Sequence, residues 1–277
     1  MLVDAGMLAR RAQESGKGVG AFNVILLEQA DAFVRAAEET DHPVILQLSE
    51  NAVKYHHGNL APLGLAMVAL AKEASVPVAV HLDHAEDTDL CYQAIDLGFS
   101  SIMYDGSKLP DDENRATTAA IVEAAHAAGL SVEAELGEVG GKDGVHAPGA
   151  RTNPQDAARF VADTGVDLLA VAVGTSHAMS TRDAVLDLEL IAALKEAVPV
   201  PLVLHGSSGV SDSGMQDAIR SGMTKINVAT HLNGVFTRTA REILDDHSDL
   251  TDPRKYLGPA RDAMQQEAAR LLNLYAL

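Results

Sequence analysis

A chain of 277 residues with 47% apolar side chains is long enough for one α/β barrel or two smaller domains and has ample material for a core. Its 39 acidic against 21 basic residues give a formal charge of −18, which argues against nucleic acid and membranes as partners and leaves an anionic substrate dependent on backbone amides, helix N-termini or a metal cation. The single cysteine rules out an internal disulfide, no apolar run approaches the roughly 20 residues that span a bilayer, and MLVDAGMLARRAQESG lacks the basic start and apolar centre of a signal peptide, so a cytoplasmic protein is expected.

Short apolar or β-branched runs recur about every 20 to 35 residues, and each precedes a longer stretch of helical periodicity. In order they are VGAFNV (19 to 24), VILQLS (44 to 49), VAVHLDH (78 to 84), SSIMYDG (100 to 106), SVEAELG (131 to 137), LLAVAVG (168 to 174), PLVLHG (201 to 206) and KINVAT (225 to 230). Helices are predicted over 28–39, 60–74, 111–128, 154–163, 187–196 and 212–220, several opening on Asp or Pro as helix starts do. Cys91 falls in an apolar helical pattern, where it reads as a small buried residue rather than a nucleophile. Eight repeats of strand then helix predict an α/β fold, a (β/α)8 TIM barrel, with residues 1–277 forming a single domain. A leading helix over 4–15 would cap the barrel's bottom. The tail after Thr230 reads as two or more helices with PRKYLGPA between them, available for an oligomer contact.

Barrel enzymes carry their chemistry at the C-terminal ends of the strands, and polar residues gather there in this chain. The runs end in Asn23; Gln47 and Ser49; Asp83 and His84; Asp105, Gly106 and Ser107; Glu133 and Glu135; GTSH with His177; His205 to Ser208; and Asn227 with Thr230. Lys225, at the start of the last run, is the main exception. In VAVHLDHA a strand would put His81 and Asp83 on one face and His84 on the other, unless the strand has already given way to a loop. His84, His177 and His205 reach the rim from three separate walls, and three imidazoles with an open fourth position make a catalytic zinc site. His42, His56, His57, His126 and His247 fall in loops or helices and read as solvated, while His81 lies deeper than Asp83. The loops after strands seven and eight, HGSSGVSD and NVATH, offer glycine amides, hydroxyls and a helix start where this fold usually binds phosphate.

With AFNV, VILQLS, HLDH, IMYDGS, VEAELGEVGG, AVGTSHA, LHGSSG and KINVAT in order, the sequence resembles the class II, zinc-dependent ketose-bisphosphate aldolases, which act on fructose or tagatose 1,6-bisphosphate. The resemblance implies Asp83 as catalytic acid/base and His84, His177 and His205 as zinc ligands, with Asp105 and Glu135 able to hold a second cation, zinc or monovalent. It implies Gly206, Ser208, Asn227 and Thr230 as groups that bind dihydroxyacetone phosphate, Asn23 and Ser49 near the substrate, and Arg254 reaching the second phosphate. A homodimer or homotetramer acting on a phosphorylated sugar is implied as well. The chemistry suits these residue types, because cleavage between C3 and C4 leaves an enediolate that a Lewis acid stabilises. The alternative Schiff-base chemistry needs a lysine at a strand's C-terminal end, and none stands there.

The sequence departs from the family's pattern in places. The loop after strand five reads GGKDGVHAPGA, with Lys142 and Asp143 where glutamate is expected, so that Asp143 or Glu138 takes over the proton or it is handled differently. Ala178 and Arg182 replace the common glycine and lysine after GTSH, Ala229 replaces an Asp or Asn, and Asn233 stands where an arginine for the distal phosphate is frequent. A ketose 1-phosphate therefore stays open as substrate. Two other readings are a metal-dependent hydrolase, which usually carries a paired HxH on strand one where this chain has AFNV, and a non-catalytic subunit that supports a partner enzyme.

Overall fold

A strand buried on both faces needs neighbours on both edges and cover on both sides, and eight such runs satisfy one another here by closing into a ring. In the computed structural model, which describes residues 1–136, 151–175, 182 and 184–276, they form parallel strands β1 (Val19–Asn23), β2 (Val44–Ser49), β3 (Val78–Ala85), β4 (Ser101–Tyr104), β5 (Ser131–Glu135), β6 (Leu168–Ala170), β7 (Leu202–Leu204) and β8 (Met223–Val228). Each pairs with the next, and β8 returns to β1, so the expected (β/α)8 barrel is the observed fold. The described helices are α1 (Ala5–Glu14), α2 (Leu27–Thr40), α3 (Glu50–Tyr55), α4 (Ala61–Glu73), α5 (Thr88–Asp96), α6 (Asp111–Ala127), α7 (Pro154–Thr164), α8 (Leu188–Ala197), α9 (Asp212–Ser221), α10 (Thr230–Asp246) and α11 (Arg254–Tyr275). Among the described residues no helix is long and apolar enough to cross a membrane.

Side chains alternate along each strand, so every second residue enters the barrel and the others meet the helices. Phe22, Leu46, Val80, Ile102, Val132, Leu204 and Ile226 belong to the larger cluster between sheet and helices. Val19, Ala21, Ile45, Ala79, Met103, Leu168, Ala170 and Val203 form a separate interior cluster. Its floor is α1, which adds Ala5, Leu8 and Ala9. Asp4 anchors that plug: Oδ1 accepts from Met7 N at 2.7 Å and from Ser131 Oγ at 2.6 Å, and Oδ2 from Ser131 N at 2.9 Å. Gly6 is required by this fit, since a Cβ there would lie 2.3 Å from Ser131 Oγ. With apolar side chains packed over α1, the inward polar side chains gather toward the strands' C-terminal ends, Lys225 being the exception.

Two expectations are corrected. Strand eight begins at Met223 rather than at Lys225, so Lys225 is its third residue and lies wholly buried inside the barrel instead of at its edge. PRKYLGPA does not separate two helices, because α11 starts at Arg254 and runs through it. Pro259 falls in the second turn, where a missing N–H forfeits a single backbone bond that the long helix tolerates. Cys91 is buried in α5, and burial, with Asp87 and Glu50 adding to it, pushes its thiol up to about 12, as suits an inert core residue.

The tail is pinned by Gly18 N donating to Tyr275 O at 2.8 Å and by a network that joins α9, α10 and α11. Glu267 accepts from His231 Nε2 at 2.6 Å and from Arg270 at 2.7 Å, while Arg270 also pairs with Asp212 at 2.6 Å. Burial opposes the charge on Glu267, but His231 and Arg270 outweigh it and hold its pKa at about 2 against an ordinary 4.5. A lowered folded-state pKa contributes stability above the unfolded value, and that contribution fades as pH falls from about 5 toward 2. Glu267→Gln is therefore expected to cost about 1 to 3 kcal/mol at pH 7. Urea unfolding at pH 7, 4 and 3 should show the gap between variant and parent narrowing with acid; a gap that stays constant would refute the assignment.

Candidate active site

β3 supplies the centre of the mouth, and it does so by breaking its own register. Pairing with β4 runs through Leu82 and resumes at Ala85, and between them His84 takes φ +47°. A left-handed conformation costs a residue other than glycine about 1 kcal/mol or more, and the bulge it makes re-aims the side chain. The alternation that would have sent His84 away from Asp83 is thereby overridden. His84 Nε2 faces His205 Nδ1, from the end of β7, at 2.8 Å, with the rings nearly perpendicular.

The far nitrogens of both rings are held by carboxylates. His84 Nδ1 lies 2.8 Å from Asp105 Oδ2, and His205 Nε2 lies 2.9 Å from Glu133 Oε1. An ionised carboxylate only accepts, so each ring gives its N–H outward and turns its lone-pair nitrogen toward the other ring. Two lone pairs at that distance repel unless the nitrogens share a proton or both turn to one metal ion. Burial disfavours a charge on His84, but Asp83, the bond to Asp105 and Glu135 reverse this and push its pKa up to about 10. Burial also works against ionised Asp105, yet His84 and Ser107 hold its carboxyl well below the usual range.

Asp83 is buried, accepts from Asn23 Nδ2 at 2.8 Å through Oδ2, and has no hydrogen-bond partner at Oδ1 among the described residues. Gln47 Nε2 donates to Asn23 Oδ1 at 3.1 Å, so three neighbouring strands fix the carboxylate's plane. Ligand atoms of Asp83, His84 and His205 lie within 4.8 Å of one another, and those of His84, Asp105 and Glu135 do likewise. Imidazole nitrogens with carboxylate oxygens are a donor set that suits zinc. The charge balance agrees, since Asp83, Asp105 and Glu135 stand at the mouth and Glu133 beneath it, with Lys225 the buried lysine among the described residues. The residues present therefore fit a divalent cation.

The remaining sequence candidates divide. Asn227 is buried, its Nδ2 3.1 Å from His205 Nε2. Gly206 turns the chain after β7 with φ +68°, and Ser208 Oγ accepts from His231 N in the first turn of α10 at 3.1 Å. Thr230 is exposed as the first residue of α10, and Ser208 takes up one first-turn amide of that helix, so these groups surround a helix N-terminus. Ser49 Oγ is occupied as the N-cap of α3, accepting from Ala52 N at 3.2 Å. Arg254 is not drawn into this cluster: its side chain is 88% exposed and pairs with Asp252 at 2.7 Å. His177, with Glu138, Lys142, Asp143 and Ala178, lies outside the described residues.

Sequence reasoning names Gln47 and Glu133 among the polar strand ends without giving them a role in the site, and sets Lys225 apart as the exception. The signal was present, because residues two apart on a strand share a face, and Asn227 inside the barrel entails Lys225 inside it, as Glu135 entails Glu133.

Comparison with known proteins places the geometry in context. The family model described as fructose-bisphosphate aldolase class-II matches residues 3–276. The chain is 40% identical to a fructose-bisphosphate aldolase of Thermus caldophilus, over 99% of this chain and 98% of the relative. It is also 40% identical to a probable fructose-bisphosphate aldolase of Bacillus subtilis, over 96% of this chain and 94% of that one. Among solved structures it superposes on the YdjI aldolase of Escherichia coli K12 with TM-score 0.86 and 33% identity, covering 99% and 97% of the two chains.

The donor set carries its own test. After exhaustive dialysis against zinc, metal analysis should find it bound, and His84→Ala or His205→Ala should weaken chelator-competed zinc binding at least about 100-fold, with Ser49→Ala close to the parent. Equal zinc affinity in all four proteins would remove the metal from this site.

Proposed function

The chain belongs to the class-II fructose-bisphosphate aldolase family, and from that premise we propose that it reversibly cleaves a ketose 1,6-bisphosphate, fructose or tagatose, to dihydroxyacetone phosphate and glyceraldehyde 3-phosphate. The observation that carries the reading is Asp83, with one oxygen held by Asn23 and the other open beside the His84 and His205 pair. Zinc held by His84, His205 and His177 would act as a Lewis acid toward the substrate's C2 and C3 oxygens. Asp83 takes the proton of the C4 hydroxyl; C4–O becomes a carbonyl, the C3–C4 bond breaks, and its electron pair passes into the enediolate of the phosphate-bearing half. Asn227 donates its amide N–H to the oxygen that gains charge. Gly206, Ser208 and Thr230 hold the C1 phosphate at the amide-rich start of α10. For Arg254 to serve the distal phosphate, its guanidinium must exchange Asp252 for the substrate, an exposed pair of low net strength.

The finer parts of the reading rest on residue type and family membership. Asp105 and Glu135 are assigned to a second cation beside the first, and the active form is taken to be a cytoplasmic homodimer or homotetramer. Light scattering on the purified protein reads the assembly directly.

Cleavage of fructose and tagatose 1,6-bisphosphate should cease on chelation and return with zinc. Asp83→Ala should lower kcat by about 10² to 10⁴ while zinc content stays at the parent's level. Borohydride reduction in the presence of dihydroxyacetone phosphate should leave the protein's mass unchanged, because no lysine Schiff base forms. Turnover that survives full metal removal, or a trapped lysine adduct, would overturn the mechanism.

A further inference from the structure

We propose that Glu133 and Lys225, a fully buried ion pair below the mouth, act as positioning residues that set both a metal-facing imidazole and the amide that faces the substrate. Glu133 Oε1 lies 2.9 Å from His205 Nε2, and Glu133 Oε2 lies 2.8 Å from Lys225 Nζ. Lys225 Nζ donates onward to Asn227 Oδ1 at 2.9 Å, and Asn227 Nδ2 sits against the His205 ring. Both members of the pair have no exposed surface.

Each partner resolves a two-way choice. The carboxamide of Asn227 is nearly the same shape either way round, and an ammonium, which only donates, requires the oxygen to point down at Lys225 and the NH₂ upward. The imidazole of His205 has two neutral tautomers, and a carboxylate, which only accepts, requires the proton on Nε2 and leaves Nδ1 to face His84. The pair also locks these choices to each other, since Glu133 and Lys225 share one contact and each reaches one client.

Stability does not account for the pair. A buried ion pair is often replaceable by apolar residues of similar volume at no cost, because the attraction barely repays the desolvation of two charges. Met103, in register with Glu133, and Val203, in register with Lys225, are apolar and belong to the interior cluster, so the barrel has a cheaper way to fill this space. His81, which approaches Glu133 Oε2 at 3.7 Å and meets Ser101 Oγ at 2.8 Å, walls the pair in from β3. Burial and the adjacent Lys225 push its pKa well below the ordinary value, so it adds no charge of its own.

This inference rests on the aldolase reading for what the two clients do, and its test separates the two. Glu133→Gln is expected to weaken zinc affinity about 10- to 100-fold by chelator competition and to shift the visible absorption of the cobalt-substituted protein. Lys225→Met is expected to lower kcat for fructose 1,6-bisphosphate cleavage about 100-fold at nearly constant KM, with zinc retained. Should Lys225→Met leave Glu133 charged and the protein unfolded, Glu133→Gln combined with Lys225→Met removes both charges and should show both defects in a folded protein. Folded variants that differ from the parent only in melting temperature, with cobalt spectrum, zinc affinity and kcat unchanged, would overturn the pair's role. A parent protein that neither retains zinc nor cleaves the substrate would instead overturn the proposed function.

Discussion

Closure of the sheet through the β1 to β8 pairing is the constraint on which everything else depends. Once eight parallel strands form a ring, alternate residues of every strand must share one interior, whatever their chemistry. The chain meets this by ordering its inward residues along each strand: Ala79, then His81, then Asp83 on β3; Met223, Lys225 and Asn227 on β8; Ser131, Glu133 and Glu135 on β5. Each begins small or apolar and becomes charged toward the C-terminal end. The apolar floor over α1 excludes water below, so polar groups above it must satisfy one another or bind something.

They largely satisfy one another, and the pattern of pairing is informative. Asn23 and Gln47 orient Asp83; Asp105 orients His84; Glu133 orients His205; Lys225 orients Asn227. Asp83, His84 and His205 are each fixed by a residue from another wall of the barrel, while Lys225 fixes Asn227 from two positions earlier on β8, so the geometry of the mouth belongs to the barrel and not to any single loop. Rigid elements hold such a constellation more tightly than loops do. The strain at His84 is the visible cost of the arrangement. A regular β3 would have placed that ring outside the barrel, among Leu82 and the helices.

Much of this was readable in the sequence, for a physical reason. Strands buried on both faces leave continuous apolar runs, and polar residues at one end of such runs have no structural motive, so the barrel and its catalytic end appear together. All eight strands and the helices expected between them fall within a few residues of their expected places. What could not be read were facts that depend on three dimensions. The bulge that turns His84 inward carries no local signature. The true start of β8 at Met223 is obscured because Gly222 and Thr224 resemble a turn, and misplacing it hid Lys225 from view. Arg254 looked like a site residue because of its motif, whereas its nearest partner is the aspartate two positions before it.

The acidity of the chain, finally, sharpens how an anionic sugar phosphate could be held. Arg182, which lines a small cavity with Ser207 and Ser208, is committed to Asp212 at 2.6 Å and to Val210 O at 2.9 Å. On the proposed reading a phosphate at Gly206, Ser208 and the start of α10 would be met by amides and a helix dipole, which contribute about 0.3 to 1 kcal/mol for a charge at an exposed terminus. A carboxylate at 8 Å opposes a like charge by roughly 2 kcal/mol at an effective dielectric constant of 20, so Asp83, with one oxygen open, already outweighs what the dipole contributes. A divalent cation held by His84 and His205 would reverse the comparison by adding two positive charges at the mouth, so on that reading the metal would serve substrate binding as much as bond cleavage.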